Sequence, residues 1–210
     1  MSPEDTRQYS VTALAYEGVW TNNPIFRQLL GICSTLAVTN LVLNTVVMCT
    51  ALTMTLALSS LTVSLLRQMT PRRIRMMVEV LIIAFYVIIV DVILKAYWPA
   101  MSDNLGPYVG LIITNCIIMG RAEACANSHQ PGWAFWDGFF NGIGYSLLLL
   151  VVAIPRELLG MGTFLGYDVP FFASYWDKWV IMVMPPGAFF MLALAVWLFR
   201  SIQTPEEAES

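Results

Sequence analysis

The sequence predicts an all-α integral membrane protein, with six transmembrane helices arranged as two inverted three-helix repeats and a short or broken first helix in each half. Three observations lead there. The 210 residues are 58% hydrophobic and 12% charged, with a mean hydropathy of +0.67, whereas a soluble domain carries about 25% charged residues. No Asp, Glu, Lys or Arg occurs from Gln28 to Leu66. Each half also opens on a short, glycine-marked apolar segment that holds one cysteine, LLGICSTLAVTN around Cys33 and LIITNCIIMGRAEAC around Cys116.

Residues 1–24 open with MSPEDTRQYS, polar and acidic. They lack the basic start and early apolar run of a cleaved signal peptide, so insertion through the chain's own helices is expected. As one helix, the uncharged stretch from Gln28 would be about 58 Å long, more than one span across roughly 30 Å of hydrocarbon needs. Thr39, Asn40 and Asn44 are turn signals, so a short first element is expected at 25–40 and a second at 44–66. The third is expected at 77–98, with Asp91 and Lys95 one turn apart. The fourth falls at 107–125, the fifth at 134–155 ending at Pro155, and the sixth at 179–199 with Pro185 and Pro186 inside it. Trp98, Trp133, Trp136, Trp176 and Trp179 cluster at span ends, as an interfacial belt requires. The membrane domain therefore covers 25–200, and 201–210 is a cytoplasmic tail.

Arginine sets the orientation. RQMTPRRIR holds Arg67, Arg72, Arg73 and Arg75, which places that loop in the cytoplasm. With six spans both termini are then cytoplasmic, and the loops near Ser102 and Ser174 face outward. Arg7, Arg27, Arg121 and Arg200 fall on the cytoplasmic side, and Lys95, Arg156 and Lys178 on the other. Three spans per half make the second half (105–200) an inverted repeat of the first (25–100). Paired interrupted segments in inverted halves point to a site near the membrane midplane.

The four cysteines, Cys33, Cys49, Cys116 and Cys125, lie in or beside apolar segments with no CxxC pair, so a disulfide framework is not expected. Cys49 and Cys125 read as small buried hydrophobes. Cys33 and Cys116 occupy matching positions in the two halves and have two readings. They are packed cysteines, or they are soft ligands for a metal or an iron–sulfur cluster. A cluster needs four ligands, so that reading requires a second protein chain. The lone His129, in the loop NSHQPG, reads as solvated.

WTNNPIFRQLLGICSTLAVT, LGPYVGLIITNCIIMGRAEA, DGFFNGIGYS and RELLGMGTFLG resemble the paired membrane subunits of the sodium-pumping NADH:quinone oxidoreductase (Nqr) and of the related Rnf complex, the NqrD/RnfE family. The resemblance runs from about residue 18 to 200. Ser34 after the first cysteine and VDVILKAY at 90–97 look like the sodium-pump (NqrD) branch, whereas MPPGAFF at 184–190 leans toward the RnfE branch. The resemblance implies six spans in inverted repeats and a homologous partner of opposite topology, NqrE-like, within a six-subunit complex of the bacterial inner membrane. It also implies a 2Fe-2S cluster shared between the two partners, with Cys33 and Cys116 as this chain's iron ligands. Na⁺ would be the transported ion, and FMN, FAD, riboflavin and NADH would be bound by other subunits only.

An ionisable group inside a span is a default functional candidate, and the sodium coupling implied by the resemblance makes Asp91 the ion-pathway candidate. Its bland alternative is neutralisation by Lys95 at i,i+4. Glu79 reads as solvated near the cytoplasmic end. Arg121 and Glu123 read as interfacial, and Arg156 with Glu157 as an end-of-helix pair in a RELLG segment that could dock a partner. No acid–base pair, nucleophile triad, phosphate loop or flavin motif is visible, so the chain is expected to act as one component of a translocase without a complete active site. No basic run with interleaved aromatics is present, which excludes nucleic acid as a partner. A small secondary transporter stays open as a second function class, because inverted repeats and broken helices serve transporters too.

Overall fold

The computed structural model describes residues 31–71, 73–126, 130–164, 167–168 and 180–203. Their helices are α1 (Ile32–Val38), α2 (Val42–Leu66), α3 (Arg75–Tyr97), α4 (Pro99–Ile113) and α5 (Cys116–Arg121). A π-helical turn (Ala122–Ala126) follows α5, and then come α6 (Pro131–Gly160), α7 (Val180–Val183) and α8 (Pro185–Gln203). The strands β1 (Thr163–Phe164) and β2 (Tyr167–Asp168) form a small antiparallel hairpin after α6. Among the described residues four stretches are long and apolar enough to cross a membrane: Val42–Leu66, Arg75–Tyr97, Leu105–Ala124 and Pro131–Gly160. Pro185–Phe199 is a shorter apolar helix.

The core lies between α2 and α6, which pack through small residues. A Cβ on Gly142 would come within 2.9 Å of Thr53 Cγ2, and one on Gly138 within 3.1 Å of the Leu56 carbonyl oxygen. Both glycines let the two backbones approach closely, and van der Waals contact between close backbones is a main attraction between helices in lipid. Several hydroxyls of α2 do not oppose its burial, because they bond back to carbonyls of the preceding turn, although the buried Thr55 hydroxyl has no such partner. Thr45 Oγ1 donates to the Leu41 carbonyl at 2.9 Å and Thr53 Oγ1 to that of Cys49 at 2.8 Å. Leu52, Leu56, Tyr145, Leu149 and Val152 fill the space between. Helix α3 is mostly uncovered, with Leu81, Phe85, Ile88 and Val92 exposed, as a helix facing acyl chains should be.

Several boundaries differ from expectation. Trp98 alone separates α3 from α4, since Pro99 suits the first position of a helix, where an N–H is not needed. Ser102, expected in an outward loop, lies in α4 and is buried. The fourth span breaks at Thr114 and Asn115, between α4 and α5. Asn44 lies inside α2, whose start at Val42 is preceded by the actual turn at residues 39–41. Pro155 does not end α6, which runs on to Gly160, because the next two side chains are anchored in the interior. The proline pair splits the last helix, with Met184 between α7 and α8. Gly187 fits there because a Cβ would lie 2.6 Å from the Ile181 carbonyl oxygen. The segment 1–24, the first part of the 25–40 element, His129, Ser174 and Trp176 lie outside the described residues.

Candidate functional site

Cys33 is the second residue of α1 and Cys116 the first of α5, so each cysteine stands at the start of a half-length helix. Gly31 enters α1 in the left-handed region, φ 83°, which glycine tolerates and other residues resist. A Cβ there would also strike the Tyr145 ring at 2.8 Å and Ile117 Cδ1 at 2.9 Å. Asn115 caps α5 by accepting from the Ile117 N–H at 3.1 Å, the usual work of an asparagine at that position. The other end of the same amide donates to Ser34 Oγ at 3.1 Å. The Ser34 hydroxyl also pairs with that of Tyr145, which donates to the Gly31 carbonyl at 3.2 Å.

The residue after Cys33 is thus hydrogen-bonded to the residue before Cys116, and the two cysteines flank one polar node. Ser34, Asn115 and Tyr145 are buried, while both cysteines are exposed on this chain. Their sulfurs face outward, where a second protein could meet them.

Helix α6 supports both half-helices. Tyr145, near its middle, holds the start of α1. Toward its N-terminal end, the Asp137 carboxylate accepts two bonds from Arg121, the last residue of α5, one of them at 3.0 Å. Toward its C-terminal end, the Arg156 guanidinium donates to Thr39, the C-cap of α1. Asp137 lies about 12 Å and Arg156 about 16 Å along the axis from Tyr145, at 1.5 Å per residue. From the shared node, α1 and α5 therefore run in opposite directions along α6, and their starts with both cysteines lie near its centre.

Arg156 and Glu157 stand in the last turns of α6, near the helix end as expected, but they are 1% and 0% exposed, which removes RELLG as an exposed docking surface. Arg156 also donates to the carbonyls of Met182 (3.1 Å), Val183 (3.1 Å) and Met184 (3.3 Å) at the break, where Pro185 and Pro186 have no N–H to offer and where the Met184 carbonyl also accepts from the Gly187 N–H at 3.1 Å. Glu157 Oε2 accepts from the Val42 N–H at 2.6 Å, at the start of α2, and Oε1 from Thr163 Oγ1 at 3.2 Å. A carboxylate at a helix N-terminus is favoured by the dipole there. Glu79, expected to be solvated, is buried at 2% beside Arg75, 3.8 Å away. Arg75 also pairs with Glu123.

Asp91 lies on α3 and binds Lys95 at 2.6 Å, the pairing its spacing allows. Cys49 is buried in the core with its thiol 3.9 Å from the Ser146 carbonyl, as its reading as a small hydrophobe requires. Sequence reasoning missed Asp137, Tyr145 and Arg156 as organisers of the node. The signal was present for two of them, since ionisable residues within apolar spans are expensive and therefore functional by default.

Among the described residues no group of three or more His, Cys, Asp or Glu converges as a metal site. Two exposed thiols fit one half of a four-cysteine cluster and not a complete one.

The Rnf-Nqr family, described as "Rnf-Nqr subunit, membrane protein", matches residues 11–196. The chain is 44% identical over 197 residues to the D subunit of the Na(+)-translocating NADH-quinone reductase of Pseudomonas aeruginosa (strain LESB58), covering 92% of this chain and 88% of that protein. It is 42% identical over 200 residues to the corresponding D subunit of Pseudoalteromonas translucida, covering 94% of each. Against the D subunit of Chlamydia pneumoniae the identity is 41% over 201 residues, covering 92% and 94%.

Proposed function

Because this chain belongs to the Rnf-Nqr family of membrane subunits, we propose that it serves as the D subunit of a Na⁺-translocating NADH:quinone reductase and supplies half of an iron–sulfur site inside the membrane. The ligands are Cys33 and Cys116. The observation that carries the reading is their placement: two outward-facing thiols at the starts of two opposed half-helices, flanking the hydrogen bond between Asn115 and Ser34. A partner of the same family with inverted topology would contribute the other two cysteines. A 2Fe-2S cluster held by Cys33, Cys116 and the partner's two thiolates would supply one-electron transfer partway across hydrocarbon about 30 Å thick, too wide for one hop.

This chain's residues have a positional role. Gly31, Ser34, Asn115 and Tyr145 fix the starts of α1 and α5, and the buried core excludes water from behind the thiols. The complex sits in a bacterial inner membrane with both termini cytoplasmic, a placement supported by the apolar helices and by Arg67, Arg73 and Arg75 in one loop. NADH and the flavins belong to other subunits, and the relatives' names support Na⁺ as the ion moved.

The test is expression alone and with the inverted partner. Alone, the chain should hold no iron. Purified with its partner it should carry about two iron and two sulfide per pair, with visible absorption, as a cluster of that type does. An intact complex without iron would overturn the assignment.

Asp91 is proposed as an ion-path residue, because it is an ionisable side chain about three-quarters of the way along an apolar span. Asp91→Asn should raise the Na⁺ concentration needed for half-maximal quinone reduction several-fold in an assembled complex, because it removes one charge from the path. Unchanged Na⁺ dependence would reduce Asp91 to the partner of Lys95.

A further inference from the structure

We infer that the buried pair Arg156 and Glu157 is a positioning device for the Cys33 ligand, setting the place of its thiol from the far end of α1; the inference rests on the cysteine assignment above. The chain must break twice beside α6, at residues 39–41 and at Met184, and each break frees main-chain groups inside the protein. Such groups need partners, because an unmade buried hydrogen bond is costly. Glu157 meets the N–H of Val42 on one side of the first break, and Arg156 meets Thr39 on the other. The same guanidinium satisfies three carbonyls at the second break.

One fork therefore joins the end of α1 to the junction of α7 and α8. A guanidinium suits the task because its donors lie in a fixed plane and stay charged. Helix α1 has seven residues and is about 10 Å long. It is too short to absorb a displacement by bending, so a shift at Thr39 carries through to Cys33 in the first turn. The far end of the Cys116 helix is held by Arg121 on Asp137, so the Arg156 fork acts directly on the Cys33 helix and reaches Cys116 only through the bond between Asn115 and Ser34. Outer residues of this kind set the orientation of metal ligands, and their loss commonly costs 10–100-fold in affinity or activity.

Thr39→Val isolates the link. It removes the hydroxyl that accepts from Arg156 and donates to the Thr35 carbonyl at 2.5 Å, keeps the side chain's shape, and leaves the arginine on its three carbonyls; Thr50→Val, which loses only bonds back to its own helix, controls for the second loss. In the complex co-expressed with its partner, Thr39→Val and Arg156→Lys should retain iron. Their electron paramagnetic resonance signal after reduction should shift from that of the parent, and quinone reduction should fall about ten-fold. Thr50→Val should match the parent in both, since the Thr50 hydroxyl is exposed and bonds only to carbonyls of its own helix. Should Arg156→Lys fail to assemble, Thr39→Val decides alone. A parental signal and rate in Thr39→Val, in a preparation series where Cys33→Ala loses iron, would overturn the positioning role and leave the cysteine assignment standing. Full iron in Cys33→Ala would overturn both.

Discussion

Alanine at Cys33 or at Cys116 is expected to abolish the iron and visible absorption of the assembled complex and to stop electron flow to quinone. Each substitution removes one thiolate from a four-thiolate set, and soft iron–sulfur ligation has no substitute nearby. Among the described residues no third metal-capable side chain converges on the site. The complex should still assemble, since both thiols are exposed on this chain and support little of its interior. Cys49→Ala is the control. Its sulfur is buried in the α2 and α6 core, so its loss leaves a small cavity and a stability cost of about 1 kcal/mol with iron retained. Iron and sulfide analysis with single-turnover quinone reduction reads all three. If both alanine variants keep iron and full electron transfer, the cluster assignment is wrong and the transporter reading takes its place.

Arg156→Ala should have the second large effect, seen as loss of the protein from the membrane rather than loss of a signal. The substitution leaves the carbonyls of Met182, Val183 and Met184 and the hydroxyl of Thr39 without this donor, in a position 1% exposed. Leaving a buried acceptor without its donor costs about 1–3 kcal/mol per group, so the sum is a large share of the 5–15 kcal/mol that holds a typical domain together. Arg73→Ala, at an exposed loop position, should change stability by no more than about 0.5 kcal/mol. Thermal aggregation of the detergent-solubilised complex compares the two. An Arg156→Ala complex as heat-stable as the parent would show that the carbonyls at the Met184 break find other donors.

Particular elements show how far hydropathy reaches. Leu66 and Arg67 mark the end of α2 by a change from apolar to charged, and that change is visible in any window along the chain. The break at Asn115 is different. Asparagine there is one polar residue among aliphatics, and only the capped Ile117 N–H and the bond to Ser34, 81 residues away, make it a helix start. Pro155 is the converse case, a strong stop signal inside a continuing helix, overridden because Arg156 and Glu157 are anchored across 117 and 115 residues.

By itself the sequence determined that the protein is helical and membrane-embedded, roughly where its long spans run and which family motifs it carries. These properties depend on local composition and on side-chain identity, and both are written residue by residue. Tertiary structure alone decided that Cys33 and Cys116 flank one hydrogen-bonded node, that Tyr145, Asp137 and Arg156 support it from a single helix, and that Glu79, Arg156 and Glu157 are buried. Whether a charged side chain is solvated or buried depends on the partners it meets. For Arg156 and Glu157 those partners include main-chain groups at helix breaks, brought within about 3 Å by segments far apart in the chain, and no linear pattern encodes that meeting.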